Sequence, residues 1–309
     1  MPASAVTAPS PAGPGGDADP AAGFLVLDKP AGLSSHDCVS RVRRAYGLRR
    51  VGHGGTLDPA VTGVLPIALG PATRLLPYLP GGKCYQGWIQ LGVRTSSDDL
   101  QGEELTRSPV PALERPELEL LLQAFRGPIL QRPPDVSAVH VQGERAHVRA
   151  RRGEALQLPP RPVTIERLEL RDWQPETGRL EILLECSAGT YVRSLARDLG
   201  ERIGCGGALA RLRRTAALGF QLAQAICLEQ LPERPPLLEP LTALAHLPRQ
   251  RLSAPEWQSW RCGRRLGDSA GLAADQAVAV LAPCGALAGV GRADGQGWIQ
   301  PRLVLAAAG

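Results

Sequence analysis

Residues 52–63 read GHGGTLDPAVTG, and this stretch decides how the fold is read. Its glycines permit a tight turn and let backbone approach a ligand closely. One carboxylate stands in the turn, Asp58, with its backbone restricted by Pro59. No Lys-Ser or Lys-Thr follows, so this is not a phosphate-cradling loop of the Walker type. The G-x-G-x-x-G spacing of a dinucleotide fold is also missing. Taken alone, Asp-Pro is an ordinary turn initiator. Apolar runs on either side, Phe24–Asp28 before and Val61–Leu69 after, read as strands.

Working outward, Ser34 or Ser35 is placed to cap a helix through about Tyr46, with Val39, Val42 and Tyr46 at helical spacing. Tyr85, Gly87, Ile89, Leu91 and Val93 alternate at period two, the pattern of a strand opening beside Lys83. Leu118, Leu121, Leu122 and Phe125 mark a second helix. The stretch Gln131–Pro162 is rich in Pro, Arg and Gly and has no sustained period, which suits a long binding loop. Strands are expected at Val163–Leu170 and Leu180–Cys186.

Thr190 is then read as the cap of a helix carrying Val192, Leu195, Ala196, Leu199 and Ile203 on its apolar face. That places Arg193 in the first turn, where a cation meets the positive end of the helix dipole at a cost of roughly 0.3–1 kcal/mol. An anion from elsewhere in the fold would offset this. A Pro/Leu-rich segment, Leu231–Pro248, marks a domain boundary, and residues 249–309 read as a small β domain.

Composition sets the class. Apolar residues make up 43% and charged residues 21%, values of a globular protein, and no apolar run nears the roughly 20 residues of a membrane span. Residues 1–22 are mostly Ala, Pro and Gly without Lys or Arg. They are neither a secretory signal nor a transit peptide, and a disordered tail is expected. Seven cysteines stand singly with no C-x-x-C pair, which disfavours disulfide frameworks and zinc sites and suits the cytoplasm. His53, His140 and His147 lack metal-ligand spacing, and no G-x-S-x-G elbow is present. The net charge of +5 is weak testimony for nucleic-acid binding, because two Lys and no Asn stand against 33 Arg.

Five blocks in order do carry a resemblance: GFLVLDKPAGLSSHDCVSRVRR, VGHGGTLDPAVTGVLPIALGPATR, KCYQGWIQLGVRTSSDD, RPPDVSAVHVQGERAHVRARRG and CSAGTYVRSLARDLGERIGCGGALARLRRTAALGF. Together they resemble the bacterial tRNA pseudouridine-55 synthase family, of TruB type, nearly from Gly23 to Phe220. The tail segment GVGRADGQGWIQPRLVL resembles the small PUA-type RNA-binding domain of many members.

The resemblance implies an α+β catalytic domain over 23–247, with a largely antiparallel mixed sheet, and a PUA-like β domain over 248–309. It implies Asp58 as catalytic carboxylate, Tyr85 stacking on the target base, and Arg193 paired with Asp58. Tyr191 and Leu212 would line the pocket, His53 would touch the flipped nucleotide, and Lys29 would be structural. Two departures, His140 and His147, fall in the long basic loop where relatives commonly carry Lys and Tyr.

Uridine isomerisation breaks an N-glycosidic bond and rejoins the same base through carbon, so no redox group, metal or other cofactor is expected. The expected partner is the T-arm of tRNA, without guide RNA or membrane, and the expected state is a monomer. Two alternatives stand beside this reading: a tRNA-folding chaperone, and a guide-RNA-dependent synthase working inside a ribonucleoprotein.

Overall fold

The computed structural model describes residues 22–137, 140–141, 144–145 and 158–305. The tail over 1–21, His147 and the loop arginines over 149–152 lie outside these residues.

The protein opens on strand β1 (Gly23–Lys29) and helix α1 (Ser35–Tyr46). Ser34 caps the helix by accepting from the Asp37 amide, while Asp37 accepts from the Ser34 amide. This reciprocal box is worth on the order of 1 kcal/mol. Val39 and Val42 face the core, and the Tyr46 hydroxyl donates to the Pro235 carbonyl. Strands β2 (Val51–His53) and β3 (Thr62–Leu69) flank the glycine turn, and a 3-10 turn over Gly70–Tyr78 leads to β4 (Lys83–Leu91).

A small hairpin follows, β5 (Val93–Thr95) with β6 (Glu104–Arg107), then helix α2 (Arg115–Gln123) and β7 (Gly127–Gln131). The segment read as one long loop thus begins on a strand. It also contains a short hairpin, β8 (His140–Val141) with β9 (Glu144–Arg145), and ends where β10 (Arg161–Gln174) begins. β11 (Arg179–Cys186), helix α3 (Val192–Ile203), β12 (Gly207–Ala217) and β13 (Phe220–Gln221) complete the larger unit.

The main sheet runs β1-β3-β12-β4-β11-β10-β7, with β2 on β3 and β13 on β12. Every pairing is antiparallel except β3 with β12. Period-two alternation puts Tyr85, Ile89 and Leu91 on the buried face with Ile182 and Leu184, in one apolar core with residues of α1 and α3. Full burial of each such aliphatic chain contributes roughly 1.5–3 kcal/mol. Helix α3 lies close on β12 because Gly200 has no side chain: a Cβ there would come within 2.1 Å of the Gly206 carbonyl carbon.

The C-terminal unit is a five-stranded curled sheet of β14 (Arg249–Arg251), β15 (Leu266–Gly267), β16 (Ala277–Leu281), β17 (Leu287–Ala293) and β18 (Trp298–Val304). Its order is β14-β16-β17-β18-β15, and the buried Trp260 donates its indole N–H to Ala288. Val290 and Leu303 reach out of this sheet into one apolar cluster with Phe24, Val64 and Leu75 of the larger unit. The Pro/Leu-rich segment between the sheets is packed, not loose: Leu238 exchanges backbone bonds with Phe24, and Leu231 and Leu244 are buried. No helix among the described residues is long and apolar enough to cross a membrane.

Candidate active site

The glycine turn between β2 and β3 brings Asp58 to the end of the main sheet, and three anchors hold it there. Ser35 Oγ donates to the Leu57 carbonyl (3.1 Å) and accepts from the Leu57 amide (2.8 Å). The Val61 amide closes the turn on the Asp58 carbonyl at 3.0 Å. The third anchor is Lys29, which is wholly buried and donates to the carbonyls of Leu33 (2.7 Å), Pro30 (2.8 Å) and Pro59 (3.1 Å). Burial pulls the Lys29 pKa below the ordinary lysine value, with Cys38 and Asp58 acting in opposition. Its ammonium binds the first turn of the chain to the residue after Asp58.

Arg193 arrives from α3. The helix begins one residue later than the sequence suggested, with Tyr191, not Thr190, as its cap, and no side chain of its own completes the cap. Instead the Tyr191 amide donates to Gln131 Oε1 at 2.8 Å, from the end of β7. Arg193 is therefore the second helical residue, still at the unfavourable end of the dipole. Its side chain is 8% exposed, and its Nη2 lies 3.0 Å from Asp58 Oδ2. Nη1 lies 3.7 Å from Asp99 Oδ2 and donates to the Ser97 carbonyl, and Nη2 also donates to Val136, both at 3.0 Å. The anion that the sequence left to be found is thus Asp58, supported by Asp99.

Asp58 itself is 47% exposed at the side chain, so the pair opens outward from a buried cation. Tyr85 and Tyr191 both stand close enough to feel the Asp58 charge. Burial raises both phenol pKa values; Arg214 opposes it at Tyr85, and Ser137 and Arg193 oppose it at Tyr191. Leu212 on β12 is paired with Gly87 on β4, one strand step from Tyr85, and its methyl packs where a Gly87 side chain would sit. Asp58, Tyr85, Tyr191 and Arg193 thus stand together, and Leu212 lies next to the strand that carries Tyr85. His53 ends β2 near Arg214: burial lowers its pKa, reinforced by Arg214 and His36, and its Nδ1 has no hydrogen-bond partner among the described residues.

Beneath Tyr85 lies Arg214, its cross-strand partner, fully buried. Arg214 donates Nε to the Val64 carbonyl (2.7 Å) and Nη2 to the Gly55 carbonyl (3.0 Å), so it ties the glycine turn to β12. Burial lowers its pKa and that of neighbouring Lys83. Sequence reading passed over Arg214, although period two from Leu212 puts it on the inward face. It also missed Asp99 and Arg197. The four-residue spacing of Arg193 and Arg197 and the acid pair of TSSDD were the available signals.

Known proteins agree on what this frame is. Residues 43–192 match the TruB family pseudouridylate synthase N-terminal domain, and residues 193–235 match the tRNA pseudouridylate synthase B C-terminal domain. The tRNA pseudouridine synthase B of Parasynechococcus marenigrum (strain WH8102) is 62% identical over 291 residues, covering 93% of this chain and 98% of the relative. That of Synechococcus sp. (strain WH7803) is 61% identical over 299 residues, with the same shares. Among solved structures, the archaeal box H/ACA sRNP Nop10–Cbf5 complex aligns with a TM-score of 0.69 at 24% identity, over 92% of this chain and 86% of that one. That likeness shows a common fold, the large mixed sheet with a PUA-like half-barrel after it. Identity above 60% along nearly the whole of both chains settles the family: the chain belongs to the TruB family of pseudouridylate synthases, and its reaction is an isomerisation.

Proposed function

We propose that this enzyme converts uridine 55 in the T loop of tRNA to pseudouridine, with Asp58 as the catalytic carboxylate. The observation that carries the reading is the Arg193–Asp58 contact at 3.0 Å, a buried cation holding a carboxylate that stays half-exposed to an incoming nucleotide. A carboxylate held in place beside an incoming nucleotide can attack it or accept a proton from it. The target lies inside a folded loop and must be flipped out, at a cost of a few kcal/mol. Tyr85 then stacks on the freed base while it turns, Tyr191 and Leu212 line its pocket, and His53 touches the flipped nucleotide at the rim.

In this reading residues 23–247 form the catalytic domain and 248–309 the PUA-like domain, with 1–22 a dispensable tail. The segment about 131–162 grips RNA, its phosphate contacts offsetting the cost of flipping. The enzyme works in the cytoplasm as a monomer, with tRNA as its only partner and no cofactor or guide RNA. Purified protein alone, incubated with unmodified tRNA transcript, should form pseudouridine at position 55. Tight tRNA binding without isomerisation would favour a folding chaperone, and isomerisation only with an added guide would favour the ribonucleoprotein alternative.

A further inference from the structure

Three arginines among the described residues are buried, and they are not alike. Arg193 meets Asp58 and Asp99, and Arg197 meets Asp98 and Asp198. Arg214, the most deeply buried, pairs with no carboxylate among the described residues. The acceptors it finds are neutral: the Val64 and Gly55 carbonyls and the Tyr85 phenol. A second cation crowds it. Lys83 Nζ and Arg214 Nη1 each stand 3.7 Å from the point where a Cβ on Gly55 would lie, and burial, then the Arg214 charge, lowers the Lys83 pKa. Nη1 itself is sealed from water and forms no close hydrogen bond among the described residues.

A buried charge without a counter-charge is costly, and an apolar side chain of like volume would fill the space at lower cost. Stability alone gives no reason for a guanidinium here. A rule broken without a compensating gain in the fold is the mark of a functional position.

The sheet order shows what the position offers. β12 lies between β3 and β4, with the turn bearing Asp58 on one side and Tyr85 on the other. Its ladder to β3 is two residue pairs long, Thr62 with Arg213 and Gly63 with Arg214. Among the described residues no backbone hydrogen bond joins 54–61 to β12. The Arg214 side chain makes that link instead, through Val64 at 2.7 Å and through Gly55, three residues before Asp58, at 3.0 Å. The same guanidinium hydrogen-bonds and charges the surroundings of the Tyr85 phenol. Carboxylate and aromatic ring arrive on different segments, and one planar group spans both.

We propose that Arg214 is a positioning residue of the reaction, setting the Tyr85 ring against the Asp58 turn without touching the nucleotide. The proposal rests on the roles given above to Asp58 and Tyr85. The span needs a fork, since a lysine ammonium is a point charge that cannot serve three acceptors in three directions from one rigid plane. A misplacement of about 1 Å between reacting groups can cost on the order of a hundredfold in rate.

The test uses the full chain with Arg214→Lys, Arg214→Met and, as a control, Arg213→Gln; Arg213 is the neighbouring residue and pairs with Asp28 at 2.6 Å. kcat, KM and Kd for a T-arm stem-loop are read per folded molecule, well below each variant's melting temperature. We expect kcat to fall about a hundredfold in Arg214→Met and about tenfold in Arg214→Lys, with KM and Kd within about threefold. Arg213→Gln should keep kcat within about twofold of wild type. A second readout needs no turnover. The chain has four tyrosines, so fluorotyrosine labelling gives few fluorine NMR lines, and Tyr85→Phe identifies the one from Tyr85. In Arg214→Lys that line should shift or broaden, with those of Tyr46 and Tyr78 in place. Wild-type kcat in Arg214→Lys, whatever its melting temperature, overturns the inference, and so does an unmoved Tyr85 line. Failure of both variants to fold would make Arg214 a residue of the fold alone and overturn it as well. A wild type that forms no pseudouridine strikes the proposed function, while the fluorine line still reports whether Arg214 holds Tyr85.

Discussion

Arg193 and Arg197 stand one turn apart on the same helix, almost equally buried, and they end in opposite ways. Arg197 is enclosed: Asp98 at 2.8 Å and Asp198 at 2.8 Å are themselves largely out of water, and the Arg132 carbonyl takes a further bond. Burial raises the pKa of both aspartates, so attraction to Arg197 only partly offsets what their desolvation costs. Arg193 is fixed as firmly on its inner side, yet its outer partner, Asp58, is half in solvent. A sealed pair joins elements, and breaking one is costly because a buried charge is left alone. A pair sealed on one side only holds a carboxylate at a set place, open to whatever comes from outside. The difference lies in the partner, not in the arginine.

The sharpest way to break this contrast is Asp58→Asn. The change keeps size and turn preference and removes charge at a half-exposed position. kcat for pseudouridine formation should fall by roughly four orders of magnitude or more, while tRNA Kd and melting temperature stay close to wild type. Near-normal turnover would dissolve the functional side of the comparison.

The opposite signature is expected at the sealed end. Arg197→Met leaves Asp98 and Asp198 without their cation and should cost about 3–5 kcal/mol of stability in denaturant melts. Activity per folded molecule should change far less. A stable Arg197→Met protein would mean that the enclosed pair contributes little to joining α3 to the 95–99 loop.

Arg193→Lys tests the fork itself. Lys keeps the charge but cannot reach Asp58, Ser97 and Val136 together, so kcat should drop about ten- to a hundredfold with binding preserved. Equal activity would reduce Arg193 to a point charge.

The smallest effect extends the comparison to His53, half-buried, with a buried Nδ1 that has no hydrogen-bond partner among the described residues. Burial holds its folded pKa below the ordinary 6.5, so the unfolded chain takes up the proton first as pH falls. The stability His53 contributes is present above about pH 6.5 and is lost as pH falls toward its depressed folded value. Melting temperature between pH 7 and 5 should fall more steeply in the wild type than in His53→Gln. Parallel curves would show that this ring titrates alike in both states.

The local elements were legible because their causes are local. Ser34 caps α1 from within the same turn, and the alternation of β4 needs only its own residues. Family resemblance supplied the pairing of Asp58 with Arg193, which no spacing rule could give, since strand order β1-β3-β12-β4 brings the turn and the helix together. The start of α3 was misplaced for the same kind of reason. Its capping acceptor is Gln131, on a strand distant in sequence, while the adjacent Thr190, a capping residue by type, does not cap it. Arg214 was overlooked because inward arginines are rare, and only its fully buried place under Tyr85 shows what it holds.

Gly63 carries one more consequence. It has φ 103°, and a Cβ there would fall 2.1 Å from the Arg214 carbonyl oxygen. The parallel contact of β3 with β12 consists of Thr62 with Arg213 and Gly63 with Arg214. That contact joins the turn bearing Asp58 to the strand bearing Leu212. In hereditary terms the codon for residue 63 is closed: every missense change adds at least a methyl group where two backbones already touch, and alanine is as unwelcome as tryptophan. No side chain fits at this seam without displacing the turn that bears Asp58.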